Sequence, residues 1–101
     1  YITNKRVEGK LINLNKLKNF NEIENKIVLL ENADPGYDFI FSKKIKGLIT
    51  CYGGANSHMS IRCLELEIPA IIGVGSKNFK NIIHSNYIQI DCKQNFFKFI
   101  N

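Results

Sequence analysis

Apolar residues recur along the chain in short blocks that are separated by polar or glycine-containing segments. Predominantly apolar runs at 27–31, 48–50 and 70–74 are typical of strands that are buried on both faces of a sheet. The segment 5–14 carries spaced apolar residues and predicts a first strand or hairpin. Apolar residues then alternate with polar ones on both sides of a break at 93–95, at Ile88, Ile90, Phe97 and Phe99. This alternation predicts a β-hairpin at the end of the chain.

Helical spacing is clearest in the segment 57–67, where Ile61, Leu64 and Ile68 recur at intervals of three and four residues. That spacing predicts a main helix whose three apolar side chains face the core. A short helix is expected at 37–42, with Phe39, Ile40 and Phe41 partly buried, and a short helix or turn at 76–83. The polar segments 15–25 and 32–36 predict a loop or short helix and a turn. Strands and helices therefore alternate, as in a single α/β unit.

One histidine stands directly after two glycines, between a predicted strand and the main helix. Gly53 and Gly54 allow a bulky anion to approach the backbone, and Asn56 or Ser57 is placed to cap the helix. His58 follows at the helix N-terminus, where unpaired N–H groups favour negative charge. Imidazole has an unperturbed pKa of about 6.5, so much of it is a neutral nucleophile at physiological pH. This arrangement predicts a histidine that accepts a phosphoryl group.

The longer pattern around this histidine carries a family resemblance. The residues that match a known family pattern align with it without a gap, at Gly53, Gly54, Ser57, His58, Ile61, Glu65, Leu66, Ile68, Pro69, Ala70 and Gly73. The segment resembles the phosphohistidine, or swivelling, domain of the phosphoenolpyruvate (PEP)-utilising enzymes. That family includes pyruvate phosphate dikinase, PEP synthase and enzyme I of the sugar phosphotransferase system. Weaker likeness extends to the strand at 27–30 and to the turn that begins at 34–35.

The resemblance implies a single swivelling β/β/α-type domain of the α/β class. It is expected to have a mostly parallel central sheet, helices packed on that sheet and the C-terminal β-hairpin. We expect residues 1–101 to form this one domain as an excised C-terminal part of a larger multidomain enzyme. The chain begins at Tyr1 without an initiator methionine, and its 101 residues are few for a complete ATP- or PEP-dependent enzyme.

The resemblance also implies the activity, an ATP-dependent phosphotransferase of the dikinase or synthase type. By this resemblance His58 is expected to be phosphorylated at an ATP-grasp-like nucleotide-binding domain, and then to relay the group to a small-molecule acceptor on another domain of the same polypeptide. Gly53 and Gly54 are expected to give the phosphate room, and Ser57 to cap the helix and to hydrogen-bond phosphoryl oxygens. The chain has no P-loop and no carboxylate cluster for Mg²⁺, so ATP and Mg²⁺ are expected on the partner domains, with no metal or cofactor here.

Two alternatives stay open. The first is a PEP-dependent phosphocarrier domain like that of enzyme I, against which a neighbouring ATP-grasp domain would argue. The second is a non-catalytic interaction domain. A degenerate copy is expected to lose His58 or the two glycines first, and this sequence retains all three.

The chain departs from the family pattern at four positions around the histidine. Asn56 lacks the hydroxyl of the usual threonine, which excludes regulatory phosphorylation at that position, and Leu64 replaces a frequent arginine. Arg62 stands four residues after His58, so it shares a helix face with it and can reach a phosphate there; the alternative is a solvated helix arginine. Glu67 replaces the usual helix-terminating glycine, which we expect to alter the helix end without affecting the chemistry.

The remaining polar and sulfur-containing residues exclude several function classes. The net charge of +5 comes from lysines spread over the chain, which favours a solubilising surface over a nucleic-acid site. Cys51, Cys63 and Cys92 lack metal or redox spacing, and a reduced, cytoplasmic setting fits them best. A catalytic thiol at Cys51 would need an orienting group that the sequence does not identify, so we interpret it as a small residue at a strand end. His84 is expected in a surface loop, and no apolar run has the length of a membrane span.

Overall fold

The computed structural model describes residues 1–14, 20–32, 35–54 and 57–100. Six strands and two α-helices follow one another along this part of the chain, together with a first 3₁₀ helix, Phe20–Ile23, and a second, Pro35–Ser42. The strands are β1 Arg6–Asn13, β2 Ile27–Asn32, β3 Gly47–Tyr52, β4 Ala70–Ile71, β5 Tyr87–Asp91 and β6 Phe96–Phe99. The helices are α1 His58–Glu65 and α2 Ser76–Ile82.

The strands form one sheet in the order β4-β3-β2-β1-β5-β6. The pairs β1–β2, β2–β3 and β3–β4 are parallel, whereas β1–β5 and β5–β6 are antiparallel. The expectation of an α/β domain with a closing hairpin is confirmed. The sheet is mixed, however, and the mostly parallel arrangement holds only for its first four strands, because β5 returns along β1 in the opposite direction.

The central strand β2 is buried on both faces of the sheet, which explains the apolar run that begins at Ile27. Val28 and Leu30 lie in the core on one face of the sheet, with Met59 and Cys63 of α1. Ile27 and Leu29 lie in the core on the other face, which α2 covers. Side chains alternate between the faces of a strand, so a strand that is covered on both sides requires apolar residues at every position. β2 therefore lies at the centre of a layered α/β domain.

The sheet is curled. After the end of β5, Cys92 places its sulfur 3.6 Å from the backbone oxygen of Ala70 in β4, although three strands separate β5 from β4 in the sheet order. The start of the chain also pairs with β4, since the Ile2 N–H donates to the Ala70 oxygen at 2.7 Å. β4 is shorter than the predicted run at 70–74. Val74 still donates to Thr50 of β3 at 2.9 Å, so the chain continues beside β3 outside regular strand geometry.

Helix α1 presents a different face to the core from the one predicted. Met59, Ser60 and Cys63 are buried, whereas Ile61 is 51% and Leu64 is 63% exposed. Each residue turns the helix by 100°, so Ile61 and Leu64 lie on the opposite side from Met59. Ile68 packs against the core, but it follows the end of α1 and therefore does not share its periodicity. The prediction that Ile61 and Leu64 face inward is wrong.

The turn after α1 contains a residue, Glu67, in the left-handed conformation that glycine commonly adopts at a helix end. Glu67 has a φ of 57°, and its N–H donates to the Leu64 oxygen at 3.3 Å. The Ile68 N–H donates to the Cys63 oxygen at 2.9 Å, which completes the paired bonds of a Schellman turn. Glu67 therefore forms the turn that glycine usually forms, but a residue with a side chain is strained at a positive φ.

Replacing Glu67 by glycine is expected to stabilise the protein by about 0.5–1 kcal/mol, because glycine adopts a positive φ without that cost. The gain is reduced by loss of the ion pair between Lys5 and Glu67, at 3.4 Å, but exposed pairs contribute little. Thermal or denaturant unfolding measures the change. Glu67→Ala is the control, since it removes the ion pair and retains the strained Cβ; equal effects of both variants would contradict the explanation.

Candidate functional site

The glycine segment leaves the end of β3 and is supported from behind by the chain after β4. Gly53 has a φ of 133° and Gly73 a φ of 76°, both in the region that favours glycine. The Gly73 N–H donates to the Thr50 hydroxyl at 3.0 Å, and a Cβ added to Gly73 would overlap the Gly53 carbonyl oxygen. Gly73 therefore allows the two segments to pack backbone against backbone.

Two serines fix the start of α1. Ser57 is the N-cap, and its hydroxyl oxygen accepts from the Ser60 N–H at 3.3 Å. The Ser60 hydroxyl donates to the Gly54 oxygen at 2.8 Å and lies 3.0 Å from the Ser57 hydroxyl. Because the single Ser60 proton is used on Gly54, the Ser57 hydroxyl donates to Ser60. The capping role predicted for Ser57 is confirmed, but its hydroxyl proton is engaged within the helix start in this conformation.

His58 is the first residue of α1, and its side chain is 44% exposed. Its Nε2 lies 2.8 Å from Oδ1 of Asp38, which belongs to the second 3₁₀ helix. The hydrogen bond from His58 lowers the pKa of Asp38, opposed by partial desolvation and reinforced by the charge of Arg62. The carboxyl group is therefore ionised near neutral pH and accepts the hydrogen bond. The imidazole is thus partly exposed at the start of α1 and bound on one side by the carboxylate.

Arg62 lies next to the same carboxylate. Its Nε is 3.4 Å from Asp38 Oδ1, an ion-pair distance, although the buried Nε–H makes no hydrogen bond with any residue that the structure describes. The guanidinium group lies over the Phe41 ring, 5.4 Å from its centroid. Arg62 is thus held by an ion pair and a cation–π contact, rather than freely solvated. Its expected contact with a phosphate on His58 stays a prediction.

The structure brings most of the predicted site residues together. Ser57, His58 and Arg62 lie along the first part of α1, and Gly54 is bonded to that helix start through Ser57 and Ser60. Asn56 lies outside the described residues.

Sequence reasoning missed Asp38 and Ser60. Ser60 was detectable as a hydroxyl three residues after the cap, but Asp38 stands 20 residues before His58 in an aromatic segment with no periodic signal.

The other reactive side chains lie away from the site or are buried. Burial raises the pKa of the Cys63 thiol to about 12 and also raises that of Cys92. Cys51 is buried within β3, which removes the alternative of a surface thiol nucleophile. His84 is exposed after α2, as predicted.

Within the described ranges, no three His, Cys, Asp or Glu side chains are grouped to hold a metal ion, and no helix has the length and apolar character to cross a membrane.

Comparisons with known proteins place the chain in a family. Residues 22–95 match the family described as "PEP-utilising enzyme, mobile domain". The chain is 32% identical to a phosphoenolpyruvate-protein phosphotransferase of Buchnera aphidicola subsp. Schizaphis graminum, over 94% of this chain and 18% of that protein. It is 36% identical to a phosphoenolpyruvate synthase of Helicobacter pylori, over 65% of this chain and 8% of that protein. The chain thus spans less than a fifth of the length of these relatives. With the glycine turn, the capped helix and its exposed histidine, these matches show that the chain belongs to the PEP-utilising enzyme family, as a mobile domain.

Proposed function

We propose that this domain carries a phosphoryl group on His58 between two sites of a larger phosphotransferase. The observation that carries the proposal is the exposed His58 imidazole at the start of α1, beside the glycine turn. A mobile carrier needs its reactive side chain on an open surface, because donor and acceptor must approach the same atom in turn. The imidazole and its neighbours meet this requirement.

The transfer is a simple displacement at phosphorus. The lone pair of a ring nitrogen forms the N–P bond, the P–O bond to the donor breaks, and the donor's leaving oxygen keeps the electron pair. The second transfer reverses these roles, since the imidazole leaves as the nucleophilic atom of the acceptor attacks. The positive end of the α1 dipole favours the negative charge of the phosphoryl group. Gly53 and Gly54 leave space for it beside the helix.

The donor that we propose is ATP, bound with Mg²⁺ on an ATP-grasp-like domain of the same polypeptide, as in a dikinase or synthase. The likeness to a relative named phosphoenolpyruvate synthase supports this assignment. The acceptor is a small molecule on a further domain. The chain spans only 18% and 8% of these relatives, so the relatives have ample length for two further domains.

PEP is the second candidate donor. Two relatives that match 94% and 89% of this chain are both named phosphoenolpyruvate-protein phosphotransferase. In that case the histidine receives its phosphoryl group from PEP and passes it to a carrier protein. The chemistry at His58 is the same, so the donor must be distinguished by labelling.

The test uses the natural full-length polypeptide, incubated separately with ATP labelled at the β position, ATP labelled at the γ position, and labelled PEP. We expect acid-labile label on His58, mapped by mass spectrometry under alkaline conditions. Label from the β position supports the dikinase or synthase type, in which the ring attacks the β-phosphorus, AMP leaves, and the γ-phosphoryl group then passes to water or phosphate. Label from PEP and from neither position of ATP supports the phosphocarrier.

Two variants control the labelling. His58→Ala is expected to abolish the label, and His84→Ala to leave it unchanged, since His84 lies away from the site. Folding of each variant is checked by circular dichroism. Absence of label on His58 from all three donors, in a folded protein, would overturn the carrier function and leave a non-catalytic interaction domain.

A further inference from the structure

Helix α1 carries two exposed apolar side chains on the outer surface that also carries His58. Ile61 is 51% and Leu64 is 63% exposed, and His58 is exposed at the start of the same helix. Since each residue turns the helix by 100° and advances it by 1.5 Å, Ile61 lies about 60° around the helix and about 4.5 Å along it from His58. Leu64 continues in the same direction, at about 120° and about 9 Å. These two residues form the apolar strip of α1.

The apolar strip differs from a single exposed apolar residue, which is common on protein surfaces. Its two members stand three residues apart, so their side chains are neighbours on the helix surface. The core on this side of the sheet takes Met59 and Cys63 from α1, and neither Ile61 nor Leu64 packs in it. An apolar surface that the fold leaves in water beside a reactive side chain is typical of an interface.

Glu65 adds a negative charge to the same surface. It lies about 20° around the helix from His58, and it is exposed. Within the ranges that the structure describes, its carboxylate makes no ion pair. Asp38 and Arg62, by contrast, form an ion pair with each other beside the ring. The outer surface of α1 therefore offers a partner two apolar side chains and one unpaired carboxylate.

We propose that the apolar strip, with Glu65 at its edge, is the docking surface for the domain of the same polypeptide that holds the phosphoryl donor. This inference rests on the proposed carrier function of His58. The phosphorus of the donor must reach the His58 ring, and a domain that comes so close to the start of α1 also covers the following turns of the helix. Contact there excludes water, which competes with the imidazole for the phosphoryl group. The partner surface is an apolar depression with a basic side chain opposite Glu65.

The unphosphorylated state of the domain favours the donor domain as the occupant. Before the first transfer His58 carries no phosphoryl group, so a donor domain can recognise only the side chains around it. After the transfer an acceptor domain can recognise the charge of the phosphoryl group instead. A second copy of this chain would cover His58 and block the transfer. The relatives are long enough to contain a donor domain, since this chain spans 18% and 8% of them.

The test compares two routes to the same phosphohistidine in the natural full-length polypeptide. ATP labelled at the β position and labelled PEP report transfer from the donor domain, as the initial rate at which His58 is labelled. Potassium phosphoramidate reports transfer without docking: the ring forms the N–P bond, the P–N bond of the reagent breaks, and ammonia leaves. Ile61→Ala and Leu64→Ala are measured by both routes, separately and combined. Phe99→Ala is the matched control, because Phe99 is 44% exposed and lies beside His84, away from α1.

We expect Ile61→Ala and Leu64→Ala each to slow labelling by the biological donor about three- to tenfold, the usual range for an apolar contact at the centre of an interface. The double variant should be slower than either. Labelling by phosphoramidate should be unchanged in all three, and Phe99→Ala should match the wild-type protein by both routes. Glu65→Lys should also slow the biological route, and less so at high salt, because salt screens the charge that it introduces.

Biological labelling at the wild-type rate in the folded double variant would overturn the docking role. Equal losses by both routes would overturn it as well, since they would place the effect in the ring or in the fold. Unchanged labelling of His58 with slower transfer from His58 to the acceptor would contradict the proposal and assign the strip to the acceptor domain. Failure of the carrier function is distinct from these results, because the wild-type protein would then take label from phosphoramidate but from neither ATP nor PEP.

Discussion

Replacing Gly73 by alanine is expected to lower the free energy of unfolding by about 2–5 kcal/mol, through two effects at one position. The first is conformational, because Gly73 has a φ of 76°, where an L-residue is strained. The second is steric, since the new Cβ would overlap the Gly53 carbonyl oxygen, and a backbone atom cannot move aside as a side chain can. Displacement of Gly53 also disturbs the turn before His58, so phosphorylation of His58 should fall with stability. Denaturant unfolding and His58 labelling measure the two effects.

Two other glycines separate these contributions. Gly75 has a φ of 92° and a ψ of 155°, but a Cβ there would meet nothing within 4 Å, so Gly75→Ala should lose only the conformational part, about 1–3 kcal/mol. A Cβ added to Gly54 would also meet nothing within 4 Å, and the φ of Gly54 lies outside the left-handed region. Gly54→Ala should therefore change stability by less than about 1 kcal/mol. If Gly73→Ala is no more harmful than Gly75→Ala, the close packing of Gly73 against Gly53 is not a constraint.

Replacing Met59 by alanine is expected to destabilise the protein by about 2–5 kcal/mol, the usual result of creating a cavity in a packed core. Met59 is completely buried among Val28, Leu30 and Leu48 on the α1 side of the sheet. Since it follows His58 directly, loss of its packing also loosens the helix start that holds the histidine. The shift in the denaturation midpoint, at constant m-value, provides the measurement.

Leu64→Ala is the matched control on the same helix. Leu64 is 63% exposed, so its truncation should change stability by no more than about 0.5 kcal/mol. The apolar spacing of the sequence predicted the opposite, with Leu64 in the core. A loss at Leu64 as large as that at Met59 would restore the inward-facing prediction and contradict the observed orientation of α1.

Local patterns predicted most of the elements. The apolar run at 27–31 corresponds to β2, and the alternation of Ile88, Ile90, Phe97 and Phe99 corresponds to the β5–β6 hairpin. Both signals are local, because successive side chains of a strand point to opposite faces of the sheet, and each face is either buried or exposed to solvent. The prediction of the orientation of α1 failed because it used only this local spacing. Its apolar residues outnumber those that one face can bury, and the packing against β2 and β3 selected Met59 and Cys63 over Ile61 and Leu64.

The sequence by itself determined the glycine turn, the serine cap and the histidine that follows it, since neighbouring residues form these features through local backbone geometry. It could not determine the antiparallel return of β5 along β1, which depends on contacts between distant parts of the chain. Nor could it find Asp38, which only the folding of the second 3₁₀ helix against α1 brings to His58. The position of the proposed phosphoryl carrier, His58, was thus set by local sequence. Its hydrogen-bond partner was decided by tertiary structure, because no local rule relates residues on two separately packed elements.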